Sequence, residues 1–590
     1  MKEFIKYTLA TILGIIITSI VFFFFLLVVI GTMISSADKE IVIRSNSVLS
    51  LNMNQVIPDR SVTNPLEGFD PVSMRFSIKT GLNDILKNIS RAKDDNNIKG
   101  IYIDLGLISP GFATIEEIRN ALIDFKSSGK FVISYADEYL PQSLYYLATA
   151  ADKIYLSPTA FFEFFGLRSE VTFYKEALEK LGVEIQVIRH GKFKSAVEPF
   201  ITDRMSEENR EQVMTYVSSI WDHILAGISE ARGISTADLN KYADHLMIRD
   251  AQGAFDHKMI DGVKFYDEVL AELKELSHSS GRRDVRFVSQ EKYRKVDASA
   301  GKKTYTKDKI AVIYASGDIG MPLSTQSGID GAKFSAVVRE AREDSTVKAI
   351  VVRVNSPGGS VLASDMIWRE IDLASRVKPV VASMGNVAAS GGYYIVSPAD
   401  TILASPVTIT GSIGVFSLIP NTEKLLKQKL GITFDVVKTN EYADFLSLYR
   451  PLRPAERDFL QSNVKTTYND FLSKVSAGRQ MDKEAVDAIG QGRVWSGKNA
   501  LDNGLIDGFG GLNDAIRVAK EMAGLEQYTI TELPKPVDPY QQLLRELAGD
   551  VRMHFVRKEL GNEYKYYENL QNIMRMDRLQ ARLPYFIEIY

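Results

Sequence analysis

Three stretches of small residues in the second half of the chain have the composition to handle an acyl group. Ser390 stands in Ala388-Ala389-Ser390-Gly391-Gly392-Tyr393-Tyr394, where small neighbours leave a hydroxyl open to a reacting carbonyl. Alone, such a serine is more often a packing residue than a nucleophile. Asn355-Ser356-Pro357-Gly358-Gly359-Ser360 follows a β-branched run ending at Val354 and reads as a turn with outward-pointing backbone N–H groups. Turns of this kind make oxyanion holes, because a side chain there would block the carbonyl oxygen, and losing one donor costs about 3 to 4 kcal/mol of transition-state stabilisation. Thr410-Gly411-Ser412-Ile413-Gly414-Val415 supplies a further hydroxyl, Ser412, suited to orienting a base.

A serine nucleophile needs that base. The six histidines are His190, His223, His245, His257, His278 and His554, so none lies near Ser390 in sequence, and the Gly-x-Ser-x-Gly elbow of the α/β-hydrolases is absent. Lysine is the other partner known for serine in such sites. A free lysine, with pKa about 10.4, is neutral in only about one molecule in 2,500 at pH 7, so a working base must be desolvated. Lys194 lies among Phe193, Ser195, Ala196, Val197, Pro199 and Phe200, a stretch able to bury it, whereas Lys192 is expected on the solvent side. His190 is the rival base. There is no phosphate-binding loop, His-Glu-x-x-His or acidic metal cluster, so no cofactor and no metal are expected. Asp400 and Asp444 are isolated carboxylates, expected to serve as caps or ion pairs.

The elements that must position these groups occur twice. Ile98 to Leu105 reappears as Val347 to Val354, Ala151 to Pro158 as Ala399 to Pro406, and Met259 to Gly262 as Leu505 to Gly508, at offsets of 249, 248 and 246. That period is far above the 20 to 50 residues of solenoid repeats, so each copy is a whole domain. Each opens with short β-branched runs lacking period-two alternation, separated by amphipathic stretches such as Ala336 to Ala341. The pattern predicts an α/β fold with parallel strands buried on both faces. The copies differ where chemistry would sit. Gln142 takes the place of Ser390 in the first, with Ser143 beside it, and Ala443 faces Lys194 in the second.

The chain of 590 residues is 45% hydrophobic and 25% charged, enough for two or more cores. A net charge of −3 gives no reason to expect a nucleic-acid partner, and the basic stretch Arg282 to Lys309 reads as a solvated linker. The absence of cysteine excludes disulfides, thiolate zinc sites and a cysteine nucleophile. No charge interrupts residues 7–36, while a bilayer core needs about 20 helical residues, so this segment is expected as a retained membrane anchor. Lys2 and Lys6 before it favour a cytoplasmic N-terminus. The expected division is residues 1–40 stub and anchor, 41–280 first domain, 281–308 linker, 309–530 second domain and 531–590 helical extension. The final run, Leu583 to Tyr590, reads either as a strand completing a domain edge or as a segment occupying a peptide groove by strand addition.

At Lys192 to Phe200, at Ser383 to Tyr393 and at Thr410 to Gly414 the chain resembles the signal peptide peptidase A (protease IV) family in its long tandem-domain bacterial form. The resemblance implies two tandem ClpP/crotonase-like domains and a Ser-Lys dyad with Ser390 as nucleophile and Lys194 as general base. Ser412 would hydrogen-bond the lysine, and Gly359 and Gly391 would be the oxyanion donors. It further implies a homotetramer, anchored in the bacterial inner membrane and facing the periplasm, that degrades signal peptides and similar apolar peptides. Two rivals are a crotonase-type acyl-CoA enzyme and a non-catalytic membrane scaffold. The first would carry carboxylates near the glycine turn, where this chain has Asn355 and Ser356.

Overall fold

The computed structural model describes residues 2–36, 43–61, 69–70, 75–76, 80–279, 284–296, 306–321, 328–535 and 579–583. Helix α1, Lys2–Ser36, contains a stretch, Glu3–Val21, long and apolar enough to cross a membrane.

The β-branched runs become the centres of two parallel sheets, where their lack of polar alternation is satisfied by burial on both faces. In the first repeat β1 (Ser47–Asn52), β2 (Ile98–Leu105), β3 (Phe131–Ala136) and β4 (Lys153–Leu156) are such strands, and β5 (Glu184–Arg189) leaves for another sheet. With β6 (Gly262–Val263) and β7 (Phe287–Ser289) the order is β6-β4-β3-β2-β1-β7, every pair parallel.

The second repeat contributes β8 (Lys309–Ser316), β9 (Val347–Ser356), β10 (Gly358–Ser360), β11 (Val380–Ala389), β12 (Thr401–Ala404), β13 (Ile409–Gly411), β14 (Phe416–Asn421), β15 (Val494–Ser496), β16 (Gly508–Phe509) and β17 (Thr529–Leu533). Its parallel core runs β16-β12-β11-β9-β8-β17, the same order as the first sheet, strand for strand. The expectation of two tandem α/β domains behind an apolar helix is met.

Side chains keep the same register. Asp152 and Asp400 each accept a hydrogen bond of 2.8 Å from the strand residue beside them, Val132 N and Val380 N. Tyr145 and Tyr393 donate their hydroxyls to Met259 O and Leu505 O, both at 2.8 Å. Asp400 is thus a cap, and Asp444 is an ion-pair centre for Lys438, Arg450 and Arg453, as expected for both.

Segment 281–308, expected as a linker, contributes β7, the counterpart of β17. The apolar Val288 packs against the first core, so the sheet extends into this stretch. The region 536–578 and residues 584–590 lie outside the described residues, and with them the expected helical extension and most of the final run. Described residues 579–583 include β18, Gln580–Arg582.

A third sheet joins the repeats. It runs from Ile329–Asp330 through Ile319–Gly320 and β10 to β18, β14 and finally β5, which comes from the first repeat. Six registered pairs from Phe416↔Arg189 to Asn421↔Glu184 hold β5 antiparallel to β14, so the chain after β5 is delivered onto the second repeat. The helices between the strands include α2 (Gln142–Ala148), α3 (Glu207–Arg232), α4 (Gly391–Val396) and α5 (Pro454–Arg479).

Candidate active site

Ser390 sits where β11 turns into α4, with φ +55° and ψ −112°. That left-handed backbone is rare outside glycine and costs about 1 to 3 kcal/mol, so the surroundings must impose it. They do so through Ser390 N, which donates to Gly411 O at 2.8 Å, and Ser390 O, which accepts from Tyr394 N at 2.8 Å. Ser390 Oγ lies 3.4 Å from Gly414 O, to which it donates.

Lys194 arrives there from the other repeat. Its Nζ lies 2.8 Å from Ser390 Oγ, 3.0 Å from Ser412 Oγ and 3.2 Å from Ser412 O. Its exposure is 0%, as is that of Ser390 and Ser412. Burial alone holds its amine well below the usual lysine range, with no carboxylate offsetting it. The expected trio Ser390, Lys194 and Ser412 is therefore brought together. Lys192 is exposed, as anticipated. His190 lies against the ring of Tyr468 in α5, with centroids 4.4 Å apart, and the basic group at Ser390 Oγ is Lys194 Nζ.

Close backbone approach fixes the lysine. Gly492 has φ +84°, and a β-carbon on it would come within 2.6 Å of Lys194 Cα, so only glycine lets the two segments meet. A clamp that sequence reasoning missed is Gln212 of α3. Its Nε2 donates to Phe193 O at 3.2 Å and to Ser195 Oγ at 2.8 Å, bracketing Lys194, while its Oε1 accepts from Val494 N of β15 at 3.1 Å. One buried amide thus ties the lysine loop to the serine domain. Its signal was there: Gln212 falls in line with Val213, Tyr216 and Ile220 on the buried face of its helix.

The glycine turn faces the same point. Gly391, as the first residue of α4, has an N–H with no partner inside its helix. A β-carbon on Gly358, which has φ +96°, would come within 2.6 Å of Gly391 N. Gly359 follows in β10. Gly358 N itself donates to Ser356 Oγ at 3.1 Å. Asn355 Nδ2 donates to Asp59 Oδ2 at 2.8 Å, and Asp59 is in turn paired with Arg353, so this carboxylate is already engaged.

In the first repeat the residues at the equivalent place, Gln142 and Ser143, are held by local hydrogen bonds. Gln142 Oε1 accepts from Phe165 N and Gly166 N, both at 3.1 Å, and its Nε2 donates to Gly166 O at 2.7 Å. Ser143 pairs with Ser109, 2.7 Å between hydroxyls. Among the described residues no cluster of His, Asp and Glu could hold a metal ion.

Known proteins match this doubled arrangement. Peptidase family S49 matches residues 124–280 and 372–526, one segment per repeat and together more than half of the chain. Protease 4 of Salmonella typhi is 36% identical over 524 residues, 86% of this chain and 83% of its own. Protease 4 of Haemophilus influenzae is 34% identical, over 84% of this chain and 82% of its own. The chloroplastic serine protease SPPA of Arabidopsis thaliana is 33% identical, over 86% of this chain and 74% of its own. With a family match in each repeat and relatives aligned along most of its length, the chain belongs to peptidase family S49 and is a serine protease with two tandem S49 domains.

Proposed function

We propose that this protein is a membrane-anchored endopeptidase that cuts cleaved signal peptides and similar apolar peptides by a Ser-Lys dyad. The observation that carries the reading is the 2.8 Å approach of Lys194 Nζ to Ser390 Oγ, with both side chains fully buried. A neutral amine has two N–H donors and one lone pair. Ser412 O can only accept and takes one N–H, and Ser412 Oγ is placed for the other. The lone pair is left facing Ser390 Oγ.

In the first step Oγ adds to a peptide carbonyl while its proton passes to Lys194 Nζ. The oxyanion forms against the N–H groups of Gly359 and Gly391. The C–N bond then breaks as Lys194 returns the proton to the leaving nitrogen, and water, activated by the same amine, hydrolyses the ester. An extended apolar peptide suits the site because main-chain pairing with β10 supplies affinity independent of sequence. A fluorophosphonate probe tests the reading: one covalent adduct is expected on Ser390 and none on the Ser390→Ala protein. A crotonase-type enzyme or a scaffold would take no adduct there.

α1 is proposed to anchor the domains on the periplasmic face of a bacterial inner membrane, through residues 7–36. Assembly into a homotetramer has support in the repeat itself. Residues 430–449 occupy the place in the second repeat that 181–200 occupy in the first. The earlier segment includes β5 and packs onto β14, whereas the later one presents Ile432, Phe434, Val437, Tyr442 and Leu448 to solvent. A neighbouring copy arranged head to tail would cover it, and head-to-tail contacts that close form rings. Val437→Glu, at a residue 99% exposed, is expected to lower the particle mass in light scattering without unfolding the chain. An unchanged mass would reject assembly through this segment.

A further inference from the structure

Three residues other than glycine adopt left-handed backbone at the site: Ser390 at φ +55°, Ser412 at +52° and Gln491 at +52°. That conformation is rare for a residue with a β-carbon and persists only where its neighbours impose it. Each of the three has its amide held by the next segment in a series. Ser390 N donates to Gly411 O at 2.8 Å, and Ser412 N donates to Arg493 O at 2.7 Å. The series ends at Gln491 N, which donates at 2.9 Å to a side chain, the hydroxyl of Tyr468 in α5.

The turn that carries Gln491 contacts both halves of the site. Gln491 O accepts from Phe193 N at 3.1 Å, next to Lys194, and Gly492 N donates to Ile413 O at 2.7 Å, next to Ser412. A β-carbon on Gly191 would come within 2.5 Å of Gln491 O, so the lysine loop meets this turn there as well as at Gly492. Arg493 N closes the turn on Gly490 O at 2.9 Å. Tyr468 is 1% exposed, and its hydroxyl donates to Asp487 Oδ1 at 2.5 Å, near the end of α6 (Lys483–Ile489). Burial, with that hydrogen bond to Asp487, raises the phenol above its ordinary range, so it keeps its proton. Its one hydrogen is thus committed to Asp487, and its oxygen is left to accept from Gln491 N.

We propose that Tyr468 is a positioning residue for the dyad: through Gln491 it fixes the turn that seats Lys194 against Ser390 and Ser412. This rests on the Ser-Lys reading. Without the hydroxyl, Gln491 N loses its partner and the turn is released from its left-handed conformation. Lys194 then loses the backbone contacts that hold its loop. Its amine moves off Ser390 Oγ, and water reaches a group that only burial keeps neutral.

Tyr468→Phe tests this, because the ring and its packing on His190 stay. The variant's kcat for peptide hydrolysis is expected to fall about tenfold to a hundredfold at unchanged KM, as a misplacement of up to about 1 Å does. Its acid limb of kcat is expected to move about one unit to higher pH, since a solvated amine gives up its proton later. Adding Gln491→Gly is expected to bring the limb back towards wild type, because glycine adopts left-handed backbone without strain. Other charges stand nearby: Asp487 and Lys465 act on His190, and Arg493 of the turn pairs with Glu211. The shift is therefore also measured in a His190→Gln background, where it is expected to persist. A Tyr468→Phe limb that superimposes on the wild-type one overturns the inference, even in a less stable protein, and leaves the Ser-Lys reading standing. So does a shift that glycine fails to reverse or that vanishes with His190. A wild-type Ser390 that takes no fluorophosphonate at any pH overturns both.

Discussion

Lys194→Met is expected to lower kcat for peptide hydrolysis by at least about 10⁴-fold and to make the protein harder to unfold at neutral pH. The two effects share one cause. Holding a lysine neutral at pH 7 costs roughly 4 to 5 kcal/mol against its free pKa of about 10.4, and holding it charged in this dry site would cost more. Three polar contacts at Nζ return about 1 kcal/mol each. Methionine fills nearly the same volume without an amine to desolvate, so a net gain of about 1 to 2 kcal/mol follows.

The pH dependence checks the sign. Burial places the folded-state pKa of Lys194 below its unfolded value, so between the two the unfolded chain binds the extra proton and wild-type stability rises with pH. The methionine variant lacks that slope. Its advantage is greatest at the low end of the window and fades towards pH 10. Urea midpoints for both proteins from pH 6 to 9.5 measure the gap. A variant less stable at every pH would mean that the lysine is not a burden, and hence not a strained neutral base. In the wild-type enzyme the acid limb of kcat rises through the same ionisation, well below the ordinary lysine range.

Much of this site was legible before any coordinates because its parts constrain one another. A serine in small surroundings with no histidine near it demands another base, and a lysine in an apolar stretch is the available one. Repeat register then shows that neither copy holds both groups, so the repeats must meet. How they meet was hidden. β5 looks like any short strand, and nothing local says that it pairs with β14 of the other repeat rather than within its own sheet. Gln212 was likewise invisible as a clamp, since an amide on a buried helix face announces a partner without naming it. The docking of the C-terminal segment was half legible. Strand addition by the final run was one of two readings, but the residues at the glycine turn are 580–582, just before that run. Register against a distant strand depends on tertiary fit, and only the two strands together specify it.

Arg353 is the clearest case of a residue that strand periodicity misreads, and its removal is expected to destabilise the protein by about 3 to 5 kcal/mol at pH 7.5. It stands between Val352 and Val354 in β9 and is fully buried. Its Nε donates to Asp59 at 2.7 Å and its Nη2 to Glu117 at 2.6 Å, both on the first repeat, while Nη1 reaches Ser383 of β11 at 2.8 Å. Glu117 also accepts from Leu512 N at 2.7 Å. Burial pushes the Glu117 carboxyl upward despite the attraction of Arg353, which shows how little solvation the pair keeps. Arg353→Met leaves two buried carboxylates uncompensated at the seam between the repeats. Without Arg353 the folded-state pKa of Glu117, already raised by burial, would lie further above its unfolded value. The native state would bind the extra proton, and the penalty would be full at pH 7.5 and shrink towards pH 5. Because Lys194 and Ser390 belong to opposite sides of that seam, a shift of about 1 Å there is expected to cost about 10²-fold in kcat even where the fold survives. Urea midpoints at pH 5 and 7.5, read beside kcat, separate the outcomes. A variant as stable as wild type at pH 7.5 would mean that the carboxylates find solvent or another cation, and that the seam does not depend on this arginine.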